Sequence, residues 1–334
     1  MSPLRSRADS EPDSSSECGA DEIRVGVSAC LLGQEVRHDG GHKRDPYVAD
    51  TLARYFRFVP VCPELDIGLG VPRETLRLVR DGKQVRMLAP ASGIDHTTRM
   101  RDYARRRVRQ LEELGLSGYI LKKNSPSCGM TRVRTYTAGG TPAPSDRGLF
   151  ADTLMDSLPS LPVEEEGRLN DPRLRENFIV RVFAFHRLAS FFGTRWRIAE
   201  LVAFHASEKL LLIAHDPERQ QALGRIVASA KATGRRRLRA AYTEAFMHAL
   251  AHPAGPKRHT NTLQHMLGYL RDHLGQAEHA QVLEAIEEHR LGFVPLAVPL
   301  TLIRHYVKLL RLDYLESQTY LSPHPKELAL RNHV

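Results

Sequence analysis

Three cysteines in the first half of this 334-residue chain stand in similar contexts, each just after a short apolar segment. They are Cys30 in Val-Ser-Ala-Cys-Leu-Leu-Gly, Cys62 in Val-Cys-Pro-Glu, and Cys128 in Lys-Lys-Asn-Ser-Pro-Ser-Cys-Gly. Thiolates bind zinc and iron–sulfur clusters, and three of them leave one position open to a substrate. The alternative interpretation is three buried free thiols, since cysteine packs well in a core.

Groups that can transfer protons lie next to these cysteines. Glu64 follows Cys62 by two residues, and Ser125 and Ser127 lie just before Cys128. A carboxylate beside a Lewis-acidic metal can activate water or transfer protons. The structural alternative makes Glu64 a capping carboxylate of the next segment and Ser125 a turn residue.

Short apolar runs alternate with helical segments in this part of the chain. The predicted elements are a strand at 23–27, a helix from Asp45 and Pro46 to Tyr55, a buried strand at 56–61, an arginine-rich helix from Asp95 to Gly115, and a strand at 119–121. Such alternation predicts a Rossmann-like α/β domain with a mainly parallel sheet. Because carboxyl ends of parallel strands line one crevice, the three cysteines are expected to meet there.

Three regions are predicted along the chain. Residues 1–20 are rich in Ser, Glu and Asp and predict a disordered tail, in which Cys18 has no role. Residues 21–166 form the α/β domain, with a Pro- and Glu-containing boundary at 158–167. Residues 167–334 have apolar residues at helical spacing, which predicts an all-α domain of six to eight helices.

The net charge of +9 lies mostly in the second half. Residues 1–165 hold 24 Lys and Arg against 23 Asp and Glu, whereas residues 166–334 hold 24 against 16. This asymmetry indicates a polyanionic partner or, alternatively, a solvated basic surface. The candidate RNA-binding residues are Arg235, Arg236, Arg237, Arg239, Lys257 and Arg258. A second basic group lies on the arginine-rich helix of the first half, at Arg99, Arg101, Arg105, Arg106, Arg107 and Arg109.

Several other classes of protein do not fit the sequence. No run of 18 apolar residues occurs and the first residues contain no apolar signal segment, so we expect a cytoplasmic protein without membrane spans. Four cysteines do not form a disulfide framework. His259 and His265 are six residues apart, which does not suit a metal pair on one helix face, and Trp196 is expected in the core.

The three cysteine segments together resemble the bacterial thiouracil desulfidases over about residues 23–165. Residues 170–334 are similar to YbgA-type domains. That similarity is carried by Phe204-His-Ala-Ser-Glu-Lys, His259-Thr-Asn-Thr-Leu-Gln-His, and the segments 294–300 and 320–325. The fused arrangement resembles desulfidases that convert 4-thiouridine in transfer RNA to uridine.

The resemblance implies a ligand set and catalytic roles. The three cysteines would hold a 4Fe–4S cluster with one open iron. Glu64 and Ser125 would act in catalysis, and Ser127 could take the role of Ser125. We expect Ser127, Lys122 and Asn124 to contact the substrate, while Lys123 departs from the family pattern, which has a smaller or acidic residue there.

Three functions follow as hypotheses. The first is non-redox desulfidation of 4-thiouridine in tRNA with release of sulfide. A close variant acts on free thiouracil or thio-nucleotides, with the helical domain serving stability or regulation. The third, from another class, is a non-catalytic iron–sulfur sensor that binds nucleic acid, which would not need Glu64 and Ser125 beside an open metal site. None of them requires another protein as an obligatory partner.

Overall fold

The computed structural model describes residues 22–333, so the predicted tail at 1–20 and Cys18 lie outside the described residues. Within this range, a first half of mixed strands and helices is followed by a second half that contains helices and no strand. The prediction of a parallel-sheet α/β domain followed by an all-α region is therefore confirmed. No helix among these residues is long and apolar enough to cross a membrane.

All strands that the structure describes lie before residue 166. They are β1 (Arg24–Ser28), β2 (Arg57–Val61), β3 (Arg77–Asp81), β4 (Gln84–Leu88), β5 (Gly118–Leu121), β6 (Val133–Thr137), β7 (Pro142–Asp146) and β8 (Val163–Glu165). Four of them form an all-parallel sheet in the order β2-β1-β5-β8. The other four form a mixed sheet in the order β4-β3-β6-β7, in which only β3 and β6 are parallel.

The register of the parallel sheet brings three strand ends to one level. Ser28 at the end of β1 pairs with Val61 at the end of β2. One residue earlier, Val27 pairs with Ile120 of β5. The segments that carry the three cysteines therefore leave the sheet at one edge, as the sequence predicts.

One expectation about this sheet is wrong in part. The strand predicted as buried at 56–61 is an edge strand, and Val61 is the one buried residue within β2. Pro60 has no N–H to donate, which an edge strand tolerates. The segment 158–167, predicted as a boundary, contains β8, whose three residues are buried in the sheet. The sequence does not predict this strand, because a run of consecutive glutamates usually lies in solvent.

The helices of the first half flank these sheets. They are α1 (Pro63–Asp66), α2 (Thr97–Glu113) and α3 (Leu149–Ser157). The predicted arginine-rich helix is α2. Asp95 supports its start, since its carboxylate accepts a hydrogen bond from the Thr97 amide at 2.8 Å, and Gly115 follows its end with a φ of 68°. The predicted helix after Asp45 is a short π-helical turn (Tyr47–Thr51) continued by a 3₁₀ turn.

The second half begins with the longest helix. The α-helices from there on are α4 (Pro172–Gly193), α5 (Ile198–His215), α6 (Pro217–Ala228), α7 (Arg235–Leu250), α8 (Pro256–Leu270), α9 (Gln276–Leu291), α10 (Ala297–Leu310) and α11 (Asp313–Glu316). Three short 3₁₀ turns follow, at Thr319–Leu321, Lys326–Leu328 and Leu330–Asn332. Eight α-helices without a strand in the described part of this half agree with the prediction.

Helix α4 joins the two halves, because its first turns pack against the parallel sheet. Phe178 and Val182 belong to the same buried cluster as Val27 and Ile120. The contact is close: a Cβ added to Gly118 would lie 2.7 Å from a methyl group of Val182. The division between domains near residue 166 stays a prediction, and one buried hydrophobic cluster contains residues from both sides of it.

Replacing Phe178 by Ala should destabilise the whole chain by about 3–5 kcal/mol, because it opens a cavity between α4 and the parallel sheet. Urea unfolding followed by circular dichroism measures this change in the free energy of unfolding. The matched control is Phe293→Ala, since that ring is 76% exposed, and it should change stability by less than about 0.5 kcal/mol. Equal stability of the two variants would show that α4 does not support the sheet.

Candidate functional site

The carboxyl edge of the parallel sheet opens into a cavity of about 390 Å³, which we call the thiol cavity. All three cysteines singled out in the sequence line it. The other predicted site residues of the first half line it as well, namely Glu64, Lys122, Asn124, Ser125 and Ser127. They meet because β2, β1 and β5 are adjacent and parallel.

Two cysteines are placed by the turns that follow their strands. Cys30 lies in a 3₁₀ turn (Ala29–Leu32) directly after β1, and Gly33 ends this turn with a φ of 92°, a conformation that favours glycine. Cys62 directly follows β2 and is the N-cap residue of α1, with Pro63 in the first helical position. Proline favours that position because its N–H would have no partner there.

The third cysteine, Cys128, is buried in a serine-rich loop after β5. Its amide donates to Ser125 Oγ at 3.1 Å, and the Gly129 amide donates to the Ser125 carbonyl at 2.8 Å. A Cβ at Gly129 would lie 2.3 Å from the Val133 side chain. Tight packing therefore requires glycine after the cysteine and fixes the path of this loop.

Burial raises the pKa of all three thiols. That of Cys30 rises to about 11, mainly through burial, with nearby Lys122 acting in the opposite direction and Cys62 adding to the rise. The pKa of Cys62 is also raised, mainly by burial. For Cys128 burial again dominates, while a hydrogen bond with Ser28 lowers the pKa. Thiolates here need a counter-charge, which a bound metal centre provides.

Glu64 is held between an arginine and a serine at the cavity wall. The Arg73 guanidinium donates to Glu64 Oε2 from Nε at 3.0 Å and from Nη2 at 2.8 Å. The Ser127 hydroxyl donates to Glu64 Oε1. The side chains of Arg73 and Glu64 are 6% and 15% exposed, so this ion pair is largely shielded from water. Oε1 keeps a free lone pair, with which it can accept a proton from a small molecule in the cavity.

The two serines before Cys128 make different contacts. Ser127 is fully buried and its hydroxyl reaches Glu64 directly. Ser125 Oγ accepts from the amides of Ser127 at 3.3 Å and of Cys128 at 3.1 Å, as a turn residue does. The two hydroxyl oxygens are 3.4 Å apart. The geometry thus gives Ser127 the direct contact with the carboxylate, and Ser125 reaches it only through Ser127.

The three residues after β5 form the far wall. Lys122 Nζ makes an ion pair with Glu166, and both side chains are largely buried. The Lys123 amide donates to the other oxygen of Glu166 at 2.8 Å, while its side chain reaches solvent. Asn124 is exposed and adopts a φ of 59°, in the left-handed region that asparagine tolerates. Lys122 is therefore fixed as a cation beside Cys30.

Strand β8 anchors the loop that follows Cys128 through the side chain of Glu165. Glu165 is buried, and its carboxylate accepts from the Met130 amide at 2.7 Å and the Thr131 amide at 3.4 Å. Its pKa is raised, mainly by burial, although these hydrogen bonds oppose the rise. The loop after Cys128 is thus tied to the sheet by a carboxylate.

Sequence reasoning did not single out Ser28, Arg73, Glu165 or Glu166. Ser28 lies inside the quoted segment around the first cysteine, so its place beside Cys128 could have been suspected. Three consecutive glutamates at 164–166 were a further signal, because a charge run that follows a proline can also be a short buried strand with partners. For Arg73 no local signal exists, since its distance from Glu64 depends on the loop between them.

The ligands available in the thiol cavity are the sulfur atoms of the three cysteines. No three His, Cys, Asp or Glu side chains between residues 22 and 333 converge closely enough to hold a single metal ion. Three thiols that line one cavity are the type of ligand that iron–sulfur clusters use. The soft sulfur donors and their need for positive charge agree with an iron–sulfur cluster, and the residues present fit such a group.

The predicted RNA-binding residues lie far along the chain, on α7 and α8. We call Arg235, Arg236, Arg237 and Arg239 the arginine cluster; all four are exposed in the first turns of α7. Within it, Arg235 stacks on the Trp196 ring and Arg239 on the Phe192 ring, at 5.4 and 5.8 Å from the ring centroids. Lys257 is exposed, whereas Arg258 is tied to the carbonyl of His215.

Other sequence expectations are settled by burial. Trp196 is 6% exposed and lies in the helical core, as predicted. His259 is buried with its Nδ1 2.9 Å from the Tyr320 hydroxyl, whereas His265 is exposed. The arginines of α2 are exposed or half-buried along its outer face.

Two protein families match the chain. The family described as 2-thiouracil desulfurase matches residues 25–166. A second family, described only as a protein of unknown function, DUF1722, matches residues 209–325. The matched regions correspond to the sheet-containing half and to most of the helical half.

The similar curated proteins have no assigned function. Uncharacterized protein YbgA of Escherichia coli (strain K12) is 31% identical over 165 residues, which cover 49% of this chain and 98% of YbgA. Uncharacterized protein YbbK of Bacillus subtilis (strain 168) is 34% identical over 119 residues, 34% of this chain and 78% of YbbK. Among solved structures, the 4Fe-4S-dependent thiouracil desulfidase TudS is 30% identical, with 45% of this chain and 95% of that chain covered at a TM-score of 0.37.

Replacing any one of Cys30, Cys62 and Cys128 by Ser should abolish retention of iron after anaerobic reconstitution with iron and sulfide, because a hydroxyl is a poor substitute for a thiolate. Iron per chain after desalting, together with the visible absorbance, measures this loss. Cys18→Ser is the matched control and should retain as much iron as the unmodified protein. Full iron content in the Cys62→Ser variant would remove that residue from the ligand set.

Proposed function

This chain belongs to the families of two similar proteins, YbgA and YbbK, and it joins a 2-thiouracil desulfurase region to a DUF1722 region. We propose that it removes sulfur from a thiolated uracil base. The favoured substrate is 4-thiouridine in tRNA, converted to uridine with release of sulfide. One observation gives the strongest support to a desulfidase function. Three thiols from adjacent strands surround a cavity into which a hydrogen-bonded carboxylate also faces.

The cofactor is proposed to be a 4Fe–4S cluster held by Cys30, Cys62 and Cys128. When bound, it supplies a Lewis-acidic iron with an open position for the sulfur of the base. Around it, the chain provides a buried cation, Lys122, and the Ser28 hydroxyl, both of which favour ionised thiols. This arrangement agrees with three ligands that must lose their protons when the cluster is loaded.

The reaction can be balanced with the residues of the thiol cavity. Glu64 Oε1 takes a proton from water as the water oxygen bonds to the carbon that carries sulfur. It returns the proton to sulfur as the carbon–sulfur bond breaks, so hydrosulfide leaves, and the second water proton is released. No electrons are exchanged. Arg73 and Ser127 keep the carboxylate in place during these transfers, and Ser125 can relay a proton through Ser127.

The proposal of an RNA substrate depends on the second half. A base in folded RNA must be unstacked before it reaches a cavity, at a cost of a few kcal/mol, which phosphate contacts can offset. The excess positive charge of residues 166–334 and the exposed arginine cluster support this role. A free thiouracil or thio-nucleotide is the alternative substrate. A non-catalytic sensor is less favoured, because it has no use for Glu64 beside an open metal site.

We also propose that the protein acts in the cytoplasm. The three cysteines within the described residues are free, and unpaired thiols that serve as ligands are typical of a reducing compartment.

Loss of the carboxylate should slow desulfidation without loss of the cluster. We expect Glu64→Gln to lower the rate about a hundredfold or more, with unchanged visible absorbance, and Ser127→Ala to lower it more than Ser125→Ala does. The assay incubates the reconstituted protein with bulk tRNA, followed by digestion and measurement of 4-thiouridine, uridine and sulfide. The control Glu35→Gln alters an exposed carboxylate that does not line the thiol cavity. Normal turnover by Glu64→Gln would exclude this residue from the mechanism.

Replacement of the arginine cluster by alanine should weaken tRNA binding and flatten its dependence on salt, since each lost phosphate contact reduces the slope by about 1. The Michaelis constant for tRNA should rise, while turnover of a small thiouracil, if there is any, should be retained. Affinity is measured by filter binding over a range of KCl concentrations. The matched control, Arg54→Gln with Arg134→Gln, removes exposed arginines of the first half.

Within the arginine cluster, replacing Arg236 and Arg237 tests the effect of positive charge separately from that of packing. Neither takes part in the ring contacts that Arg235 and Arg239 make, so their double change to Gln leaves the packing of α7 intact. Unchanged tRNA affinity and salt slope in both the double and the quadruple variant would remove the arginine cluster from the RNA interface.

A further inference from the structure

A second cavity, of about 420 Å³, lies in the helical half between α10 and the C-terminal 3₁₀ turns. We call it the C-terminal cavity. Two of the segments that carry the resemblance to YbgA-type domains, 294–300 and 320–325, both contribute to its lining. It shares no lining residue with the thiol cavity, and the desulfidation proposed above does not use it.

The lining of the C-terminal cavity is rich in unpaired cations. Arg304, Lys308 and Lys326 all line it, together with one carboxylate, Glu316. No ion pair joins any of these three cations to a carboxylate within residues 22–333. A fourth lining cation, Arg331, is already paired with a carboxylate behind the cavity. With three such cations and one carboxylate in its lining, the cavity has an excess of positive charge.

Two buried nitrogen atoms of the lining also lack partners. Arg304 donates from Nη2 to the Leu321 carbonyl, but its Nε is buried without a hydrogen-bond partner. His324 has its Nδ1 3.0 Å from the Pro325 carbonyl, and its Nε2 is likewise buried and unpartnered. Each of these two nitrogens can still make a hydrogen bond that no protein group of the described residues supplies.

The charges that line the C-terminal cavity favour an anion as its ligand. Burial lowers the pKa of Arg304, and the charge of nearby Arg331 adds to that effect. Burial likewise lowers the pKa of His324 to about 4, with smaller contributions from the neighbouring arginines. Cations crowded in this way repel one another, and an anion placed among them would relieve the repulsion.

We propose that the C-terminal cavity binds the phosphate group of a nucleotide. Several unpaired cations match a phosphate dianion better than a single carboxylate, and arginine with lysine is the usual combination for phosphate. Leu300, Val307 and Leu330 form an apolar part of the lining, which accommodates the uncharged portion of such a molecule. The phosphate can come from a free mononucleotide or from an RNA strand, since both carry the same group.

The test measures binding of inorganic phosphate to the full chain. Thermal unfolding is followed with phosphate or with chloride at equal ionic strength, because a ligand of the folded state raises the midpoint by mass action. Isothermal titration calorimetry then gives the dissociation constant. Lys308→Gln with Lys326→Gln should weaken phosphate binding at least tenfold and remove the shift. Both lysines are exposed and make no side-chain hydrogen bond or ion pair among the described residues, so their replacement should leave the fold intact.

The matched control is Lys83→Gln with Lys231→Gln, which removes two exposed lysines outside the C-terminal cavity and should bind phosphate like the unmodified chain. No shift of the unmodified chain in phosphate relative to chloride would overturn the proposal, and so would equal binding by both double variants. Displacement of phosphate by uridine monophosphate assigns the site to free nucleotides. Displacement by a short RNA without terminal phosphates assigns it to the RNA backbone.

Discussion

Parallel pairing of β2, β1 and β5 is the constraint on which the candidate site depends. Parallel strands all leave the sheet at the same edge, so residues that follow them are brought together whatever their separation along the chain. Each cysteine then needs only a turn of defined shape to face the thiol cavity. A helix cap holds Cys62, a 3₁₀ turn holds Cys30, and a hydrogen-bonded serine loop holds Cys128. Loss of this register would separate the thiols.

Charges buried around the cavity come in compensated pairs. Arg73 balances Glu64, and Lys122, which also lies near Cys30, balances Glu166. An isolated buried charge is costly, whereas a paired and hydrogen-bonded one is tolerated. The protein thus places a carboxylate for proton transfer and leaves the sulfur atoms as the groups that need positive charge, which is the electrostatic demand that a metal cluster meets.

The helical half contributes to the site through the packing of α4. Its buried face packs against the parallel sheet, and Gly118 permits the close approach that this requires. The thiol cavity therefore depends on the second half for the stability of its sheet, apart from any contact of that half with RNA. In this structure two separately recognisable families share one buried hydrophobic cluster, so a substitution in that cluster is expected to affect the stability of both halves.

The sequence alone was enough to identify the α/β and all-α halves, the helix α2 between Asp95 and Gly115, and the cysteines and Glu64 as residues that meet at one edge of the sheet. These features depend on local patterns: apolar periodicity, capping residues, and the rule that parallel strands end at one edge. It did not reveal β8, because the burial of Glu165 and Glu166 is possible only with partners from distant loops. Nor did it reveal Arg73 or the direct contact of Ser127, instead of Ser125, with the carboxylate. Hydrogen-bond partners across loops depend on tertiary packing, since a one-residue difference in a turn decides which side chain reaches the carboxylate.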